Sequence, residues 1–496
     1  MTNPHHQAEP DDGLLPRARA LLTRTMTFYR DDPRTSRWLR ERFERLEHPL
    51  RLAVTGRVKS GKSTLINALI GEPLAPTDAE ERTQVNTLYR YGPEPRITVH
   101  TPHGAEQNIP VTTLDVGTIR DLQHWRPDEV SRLVIESPAP GLQAITLSET
   151  PGVSSSAVQE TGRGALAQIL SEADGLLYLT RHPHQTDVQF LHSVHELHVA
   201  QCAPINTILV LSRADETGSG GTEALPAADK IARRYRDDPR LRAFSQYVIP
   251  VVGLLGQAAS SLTPDEVAAL GKVAALPDEN LEALLLSADR FARNEKPESV
   301  PRAVRLALFE KLGRFGLQRA VTAIRDGVGE PKKIVSTLLD DSRLNDLHEA
   351  VHQQFIERQD ALRARSVLMA LDMVLRANPR PGSHQLRAEL ERILASAHEW
   401  PELRLISALR SGQIRFGGAL DEEAQQLLGG AGDDLRSRLG QASRTSDGTM
   451  AHVAGDALTR WRYHALDPGR DLVHREAART VLRTCERLVR RTHSGT

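Results

Sequence analysis

At 496 residues the chain is longer than one hydrophobic core comfortably serves, so at least two domains are expected. With 39% apolar and 26% charged residues it has the composition of a folded globular protein, which excludes a disordered chain. A formal net charge of -1 lacks the basic surplus of nucleic-acid binders, and no nucleic acid is expected as a partner.

Residues 1–12 read as a disordered tail without a signal-peptide pattern. Apolar residues at helical spacing (Leu14, Ala18, Leu21, Leu22) predict a helix over Leu14 to Tyr29, and a charged helix follows from Ser36 to Leu46. From Leu52 the pattern changes to short β-rich runs alternating with helical stretches. The runs are Leu52 to Thr55, Val85 to Tyr91, Ile97 to His100, Leu133 to Glu136, Ile145 to Leu147, Gly175 to Thr180, Asn206 to Leu211 and Tyr247 to Val252. That alternation predicts a doubly wound α/β sheet with helices on both faces.

Strand signals vanish after about Pro301. Pro331 to Ala377 reads as one continuous helix, which would be roughly 70 Å long. Residues 378–382 (Asn-Pro-Arg-Pro-Gly) then break the chain, and a second helix returns through Leu386, Leu390 and Ile393. An arginine-rich helix from Asp471 to Arg491 closes the chain. Helices that cannot bury an apolar stripe alone must pack as a bundle. The expected division is a tail (1–12), N-terminal neck helices (13–48), a nucleotide-binding head (49–298), and an elongated all-α neck and trunk (299–496) with a hairpin tip near 378–384.

Gly56-Arg57-Val58-Lys59-Ser60-Gly61-Lys62-Ser63 lies directly between a β-rich run and a helical one. In that context it is a P-loop: its backbone N–H groups and the following helix N-terminus cradle phosphates. Lys62 supplies a point charge, Ser63 a Mg²⁺-ligating hydroxyl, and Gly56, Ser60, Gly61 and Thr64 complete the cradle. Thr83, in a polar loop, is placed to complete the Mg²⁺ shell and hold the attacking water. Glu149-Thr150-Pro151-Gly152, at the end of what reads as a strand pair (Leu133 to Glu136 with Ile145 to Leu147), supplies a further carboxylate for Mg²⁺. Its Gly152 N–H is aimed at the γ-phosphate. In Ser212-Arg213-Ala214-Asp215, Asp215 can accept both guanine N1–H and N2–H₂ while Arg213 covers the base, which favours GTP over ATP.

These stretches, with Ala75 to Ala79, Arg90 to Pro93, Val251 to Leu255 and Ser287 to Phe291, resemble the bacterial dynamin-like proteins. The actinobacterial isoniazid-inducible branch, which streptomycetes use near sporulation septa, is the most similar in these motifs, which implies a place at division septa. The resemblance implies a GTPase head, GTP as substrate with Mg²⁺, head-to-head homodimers and a second dynamin-like partner. It also implies peripheral action on the inner face of the cytoplasmic membrane, with a slow nucleotide-switch scaffold as the alternative. Glu149 replaces the usual aspartate and Arg213 the usual lysine. Lys59 stands where many dynamins hold a monovalent cation with a serine, and is expected to act as a built-in counter-charge for the transition state.

Weaker signals receive plainer readings. His192, His195 and His198 are read as a solvated helical face rather than a metal site. Leu403 to Leu420 mixes apolar residues with arginines and is read as bundle core, with lipid contact as the alternative. The paired cysteines of a disulfide framework are absent, since Cys202 and Cys485 are the only two, which fits a cytosolic compartment. No run approaches the roughly 20 apolar residues of a spanning helix.

Overall fold

The computed structural model describes residues 13–77, 85–114, 116–123, 129–152, 173–196, 207–218, 221–242, 244–245, 247–277, 281, 284–285, 290–291, 300–410, 412–430, 434–441 and 447–494. The tail at 1–12, Thr83, His198, Cys202 and most of 287–291 lie outside them.

Among the described residues nine strands form one mixed sheet: β1 (Leu50–Gly56), β2 (Asn86–Tyr91), β3 (Arg96–His100), β4 (Glu106–Ile109), β5 (Arg132–Ser137), β6 (Ile145–Glu149), β7 (Gly175–Thr180), β8 (Thr207–Ser212) and β9 (Tyr247–Val251). Their order is β4-β3-β5-β2-β6-β1-β7-β8-β9. The five strands β6, β1, β7, β8 and β9 run parallel to one another. β7 and β8 are buried at every residue, as parallel strands covered on both faces must be. The other half is antiparallel at its β2–β6, β3–β5 and β3–β4 contacts, and ends in the solvent-facing edge strand β4. β5 and β6 are not neighbours as their sequence proximity suggested. β2 is inserted between them, parallel to β5 and antiparallel to β6.

Helices α1 (Leu14–Phe28) and α2 (Pro33–Glu44) precede the sheet, and α3 (Lys62–Ile70) follows β1. Within and after the sheet come α4 (Val116–Gln123), α5 (Gln185–Glu196), α6 (Ala224–Asp237), α7 (Pro239–Arg242), α8 (Gly253–Ser261) and α9 (Pro264–Ala274). From residue 300 onward the described residues are mainly helical: α10 (Arg302–Arg325), α11 (Pro331–Ser342), α12 (Leu344–Gln354), α13 (Gln359–Ala377), α14 (Ser383–Ser396) and α15 (Glu399–Arg410). Last come α16 (Ala419–Leu427), α17 (Leu435–Arg438), α18 (Asp447–Leu466) and α19 (Leu472–Ser494).

The single 70 Å helix expected over 331–377 is three helices. Arg343 has left-handed backbone (φ 58°) between α11 and α12, and a short 3₁₀ turn over Ile356–Arg358 separates α12 from α13. The apolar spacing carries on across both breaks, which is why periodicity alone does not reveal them. At Arg343 the turn is held by tertiary bonds, Val252 N–H donating to the Ser342 carbonyl and Arg343 Nη2 to Asp229.

One hydrophobic cluster runs from the sheet (Leu52, Val54, Leu147) through Leu347 and Phe355 to α1, α13 and α14. The sheet and helices α1, α13 and α14 therefore share a core. The 378–382 break packs against the α1–α2 junction, where Tyr29 Oη donates to the Asn378 carbonyl (2.6 Å) and Arg380 lies over the Tyr29 ring. A second cluster joins α6 and α8–α11, and a third joins α15, α16, α18 and α19. Leu405, Ile406, Leu409 and Phe416 are buried in that third cluster, so the bundle-core reading of 403–420 holds. The final helix also belongs to this third cluster, with Ala478, Val481 and Leu488 buried on its apolar face.

Exposed large hydrophobics are concentrated elsewhere. Of the six among the described residues, four sit at the turn between α18 and α19: Tyr463 (69% exposed), Leu466 (68%), Leu472 (59%) and Val473 (57%). His398, just after α14, bonds Thr484, and Leu472 lies twelve residues before Thr484 on α19, about 18 Å along the helix.

Candidate nucleotide site

The site forms at the carboxyl ends of the parallel strands, where open α/β sheets bind ligands. β1 ends at Gly56, and a Cβ there would lie 2.2 Å from the Leu179 carbonyl oxygen, so only glycine lets the loop leave the sheet beside β7. Gly61 has φ 88° and opens α3, whose first residues are Lys62, Ser63 and Thr64. Lys59 has left-handed backbone (φ 62°), an uncommon conformation for a residue with a Cβ. Its side chain is exposed.

Lys62 is only 7% exposed, and its ammonium donates to the Arg57 carbonyl at a long 3.4 Å. Burial holds its pKa below 10.5, with Glu149 opposing that shift. Ser63 Oγ donates to Glu149 Oε1 at 2.5 Å, although Glu149 lies at the end of a different strand. Thr150 ties the same segment to β1 through Thr55 Oγ1 (2.9 Å). A Cβ on Gly152 would meet Val58 Cγ2 at 2.6 Å, so the Glu149–Gly152 turn packs directly on the phosphate loop. The oxygen-only pair of Ser63 and Glu149 fits a hard cation such as Mg²⁺, which takes one or two protein oxygens beside substrate phosphates.

On the other side, Arg213 also adopts left-handed backbone (φ 55°) and caps a 3₁₀ turn over Ala214–Glu216. Asp215 is largely buried, and burial is the chief cause that lifts its carboxyl above 3.8, with Glu216 adding to it and Arg213 and Arg181 opposing. A cleft of about 180 Å³, partly open to solvent, joins the two halves. Ser60, Gly61 and Thr64 line one end, and Ser212, Arg213 and Asp215 the other.

The structure therefore brings together Gly56, Ser60, Gly61, Lys62, Ser63, Thr64, Glu149 and Gly152 around the phosphate loop, and Arg213 and Asp215 across the cleft from it. Thr83 falls outside the described residues. Sequence reasoning missed Gly253 and Leu254, which also line the cleft. Gly253 packs on the start of α3, where a Cβ would be 3.7 Å from Leu65 N. The available signal was a glycine directly after the β9 run, at the ligand-binding edge of the sheet. His192 and His195 lie on α5, and among the described residues no group of three metal-ligating side chains is assembled.

Residues 52–213 match the Dynamin family. The isoniazid-induced protein IniC of Mycobacterium tuberculosis is 33% identical over 490 residues, covering 95% of this chain and 98% of that protein. A bacterial dynamin-like protein of Nostoc punctiforme is 38% identical over 114 residues, 21% of this chain and 16% of its own length. A solved bacterial dynamin, from an oligomerised pair described as sensing and tethering membranes, aligns over 86% of this chain and 79% of its own at 14% identity and TM-score 0.33. With a match to the family over residues 52–213 and 33% identity to a relative over nearly the full length of both chains, the chain belongs to the dynamin family of GTPases as an IniC-like bacterial dynamin-like protein.

Proposed function

We propose that the chain hydrolyses GTP to GDP and phosphate in a Mg²⁺-dependent reaction and couples the cycle, through head-to-head dimers, to remodelling or stabilising the cytoplasmic membrane. The observation that carries this is one cleft lined both by Ser60, Gly61 and Thr64 of the phosphate-loop region and by Asp215. A purine nucleotide spans such a cleft, and a buried carboxylate at its far end gains most from guanine's paired N–H donors.

In this reading Lys62 and the loop N–H groups of Gly56 to Thr64 bind the β- and γ-phosphates. Its burial with one long hydrogen bond gives the ammonium strong reason to take an anionic partner. Ser63 and Glu149, with Thr83, would hold Mg²⁺, which when bound neutralises charge building on the transferred phosphoryl group. The Gly152 N–H holds the γ-phosphate, Asp215 accepts from guanine N1 and N2, and Arg213 covers the base. Lys59 brings a fixed positive charge to the transition state, in place of a bound monovalent cation. Turnover that persists in buffer free of potassium and sodium is the expected result. A strict monovalent-cation requirement removes Lys59 from that role.

The α18–α19 turn supports the membrane reading. It presents four exposed apolar side chains close in sequence to the exposed Arg462, the pairing of apolar residues and cation that suits an anionic bilayer surface. No described helix is long and apolar enough to cross a membrane, so contact would be peripheral. Action from the inner face of the membrane, near division septa and alongside a second dynamin-like protein, completes the proposal.

The deciding measurement is GTP turnover against protein concentration for the wild type and Lys62→Ala. A specific rate that climbs with concentration and is lost in the variant is expected. No turnover in either leaves only a nucleotide-gated scaffold. Co-sedimentation with vesicles containing anionic phospholipid tests the tip, and Leu466→Ser with Leu472→Ser should reduce the bound fraction severalfold. Equal binding by that variant would remove the tip from the membrane contact.

A further inference from the structure

Outside the residues assigned above, the rim of the base side carries a carboxylate held by two arginines. Arg213 Nη1 donates to Glu216 Oε1 at 2.8 Å, and Arg181 Nη1 reaches Glu216 Oε2 at 3.1 Å. Arg213 and Glu216 line the cleft, while Arg181 does not. Arg181 directly follows β7, whose Thr180 is in register with Leu211 of β8, so it braces the base-side turn from the neighbouring strand. The Glu216 backbone N–H also returns to the Arg213 carbonyl (3.0 Å). Arg213 is therefore gripped twice by the same residue, once through backbone and once through side chain.

All three side chains are about half exposed (42% for Arg213, 47% for Glu216, 45% for Arg181), and ion pairs of that kind contribute little to folding. Their local electrostatics also run against a simple attraction account. Glu216 raises the Asp215 pKa, and guanine recognition needs Asp215 as a carboxylate. A negative charge here assists base binding only if what it contributes is geometry. A free arginine samples many rotamers, and one already aimed at the ligand loses less freedom when the ligand arrives.

We propose that Arg181 and Glu216 are positioning residues, a cross-strand brace that holds the Arg213 guanidinium over the cleft before the base enters beside Asp215. This rests on the GTP reading above. The brace makes Arg213 a fixed wall of the base site, where a flexible lysine would have to be ordered at each binding event.

The test is the affinity of the full-length chain for a fluorescent GDP, with steady-state GTP kinetics alongside. Glu216→Gln and Arg181→Ala should each weaken GDP binding about threefold to tenfold, with the loss in turnover falling on KM more than on kcat. The double variant should bind within about twofold of the weaker single one, because both act through one contact chain. Arg181→Lys, which keeps a cation, should recover most of the affinity. GDP binding by Glu216→Gln that is unchanged or tighter overturns the brace, since that is what relief of repulsion on Asp215 predicts. Single losses that multiply in the double variant overturn it as well, because they indicate two independent charges. Asp215→Asn separates the levels: if it loses GDP while the brace variants do not, the GTP reading stands and the brace falls. Absence of GDP binding by the unaltered chain overturns both.

Discussion

Among the buried charges of this molecule, Glu402 and Lys62 have surroundings that differ sharply. Glu402, on α15 in the trunk, is 2% exposed and fully engaged. Arg438 donates to both of its oxygens at 3.2 Å, Thr484 Oγ1 donates at 2.7 Å, and His398 stands 3.4 Å away. Lys62, on α3 in the head, is 7% exposed and has a 3.4 Å contact to one carbonyl. Burying an ion is expensive unless its bonds are supplied from within the protein. The trunk supplies them and gains a junction of three helices, α15, α17 and α19. The head withholds them, and the deficit is what a phosphate can repay. Buried charge alone marks neither structure nor function; the completeness of its hydrogen bonding separates the two.

The largest effect that sharpens this contrast is on stability. Glu402→Ala strands the Arg438 guanidinium in the trunk and should cost about 3–5 kcal/mol in chemical denaturation. GDP affinity should be nearly unchanged at temperatures where the variant is folded. Loss of GDP binding in the folded variant would show that the trunk hub is wired to the head and break the comparison.

Lys62→Ala should do the reverse, lowering GTP turnover by about 100-fold or more while leaving the apo protein no less stable. Its depressed pKa adds a signature. Between the lowered folded value and 10.5 the unfolded chain binds the extra proton, so apo stability should rise with pH across that window. Lys62→Met should flatten the rise, as read from denaturant midpoints over alkaline pH.

The smallest effect concerns Asp215, whose carboxyl burial lifts above 3.8. GDP affinity should be flat near neutrality and fall on acidification, by about tenfold per pH unit once below the raised pKa. The fall should begin at a higher pH than an ordinary aspartate would give. The stability term has the opposite sign: the folded apo chain takes up this proton first, so Asp215's own contribution grows as pH falls through the same window. Isothermal titration with GDP across acid pH checks the first, and an acid dependence no steeper than that of Asp215→Asn would contradict it.

Much of this was legible beforehand because it is local. The phosphate loop needs glycine at 56 and 61 for backbone reasons that no distant residue alters, and the strand before it and helix after it are set by short-range pattern. The trunk's apolar stripes, Leu405 to Leu409 and Ala478 to Leu488, likewise declare their buried faces through helical periodicity. What the chain's own pattern could not decide is where hydrophobic order is interrupted or shared between distant segments. Arg343 breaks a helix because Val252 and Asp229 hold the turn there, and neither is a sequence neighbour. β2 enters between β5 and β6, although nothing in those runs distinguishes a paired strand from a separated one. Glu149 meets Ser63, Arg181 meets Glu216, and the apolar residues at 463–473 remain uncovered while those at 405–416 do not. Periodicity fixes which side of an element is apolar; only the packing of the other elements determines what, if anything, covers it.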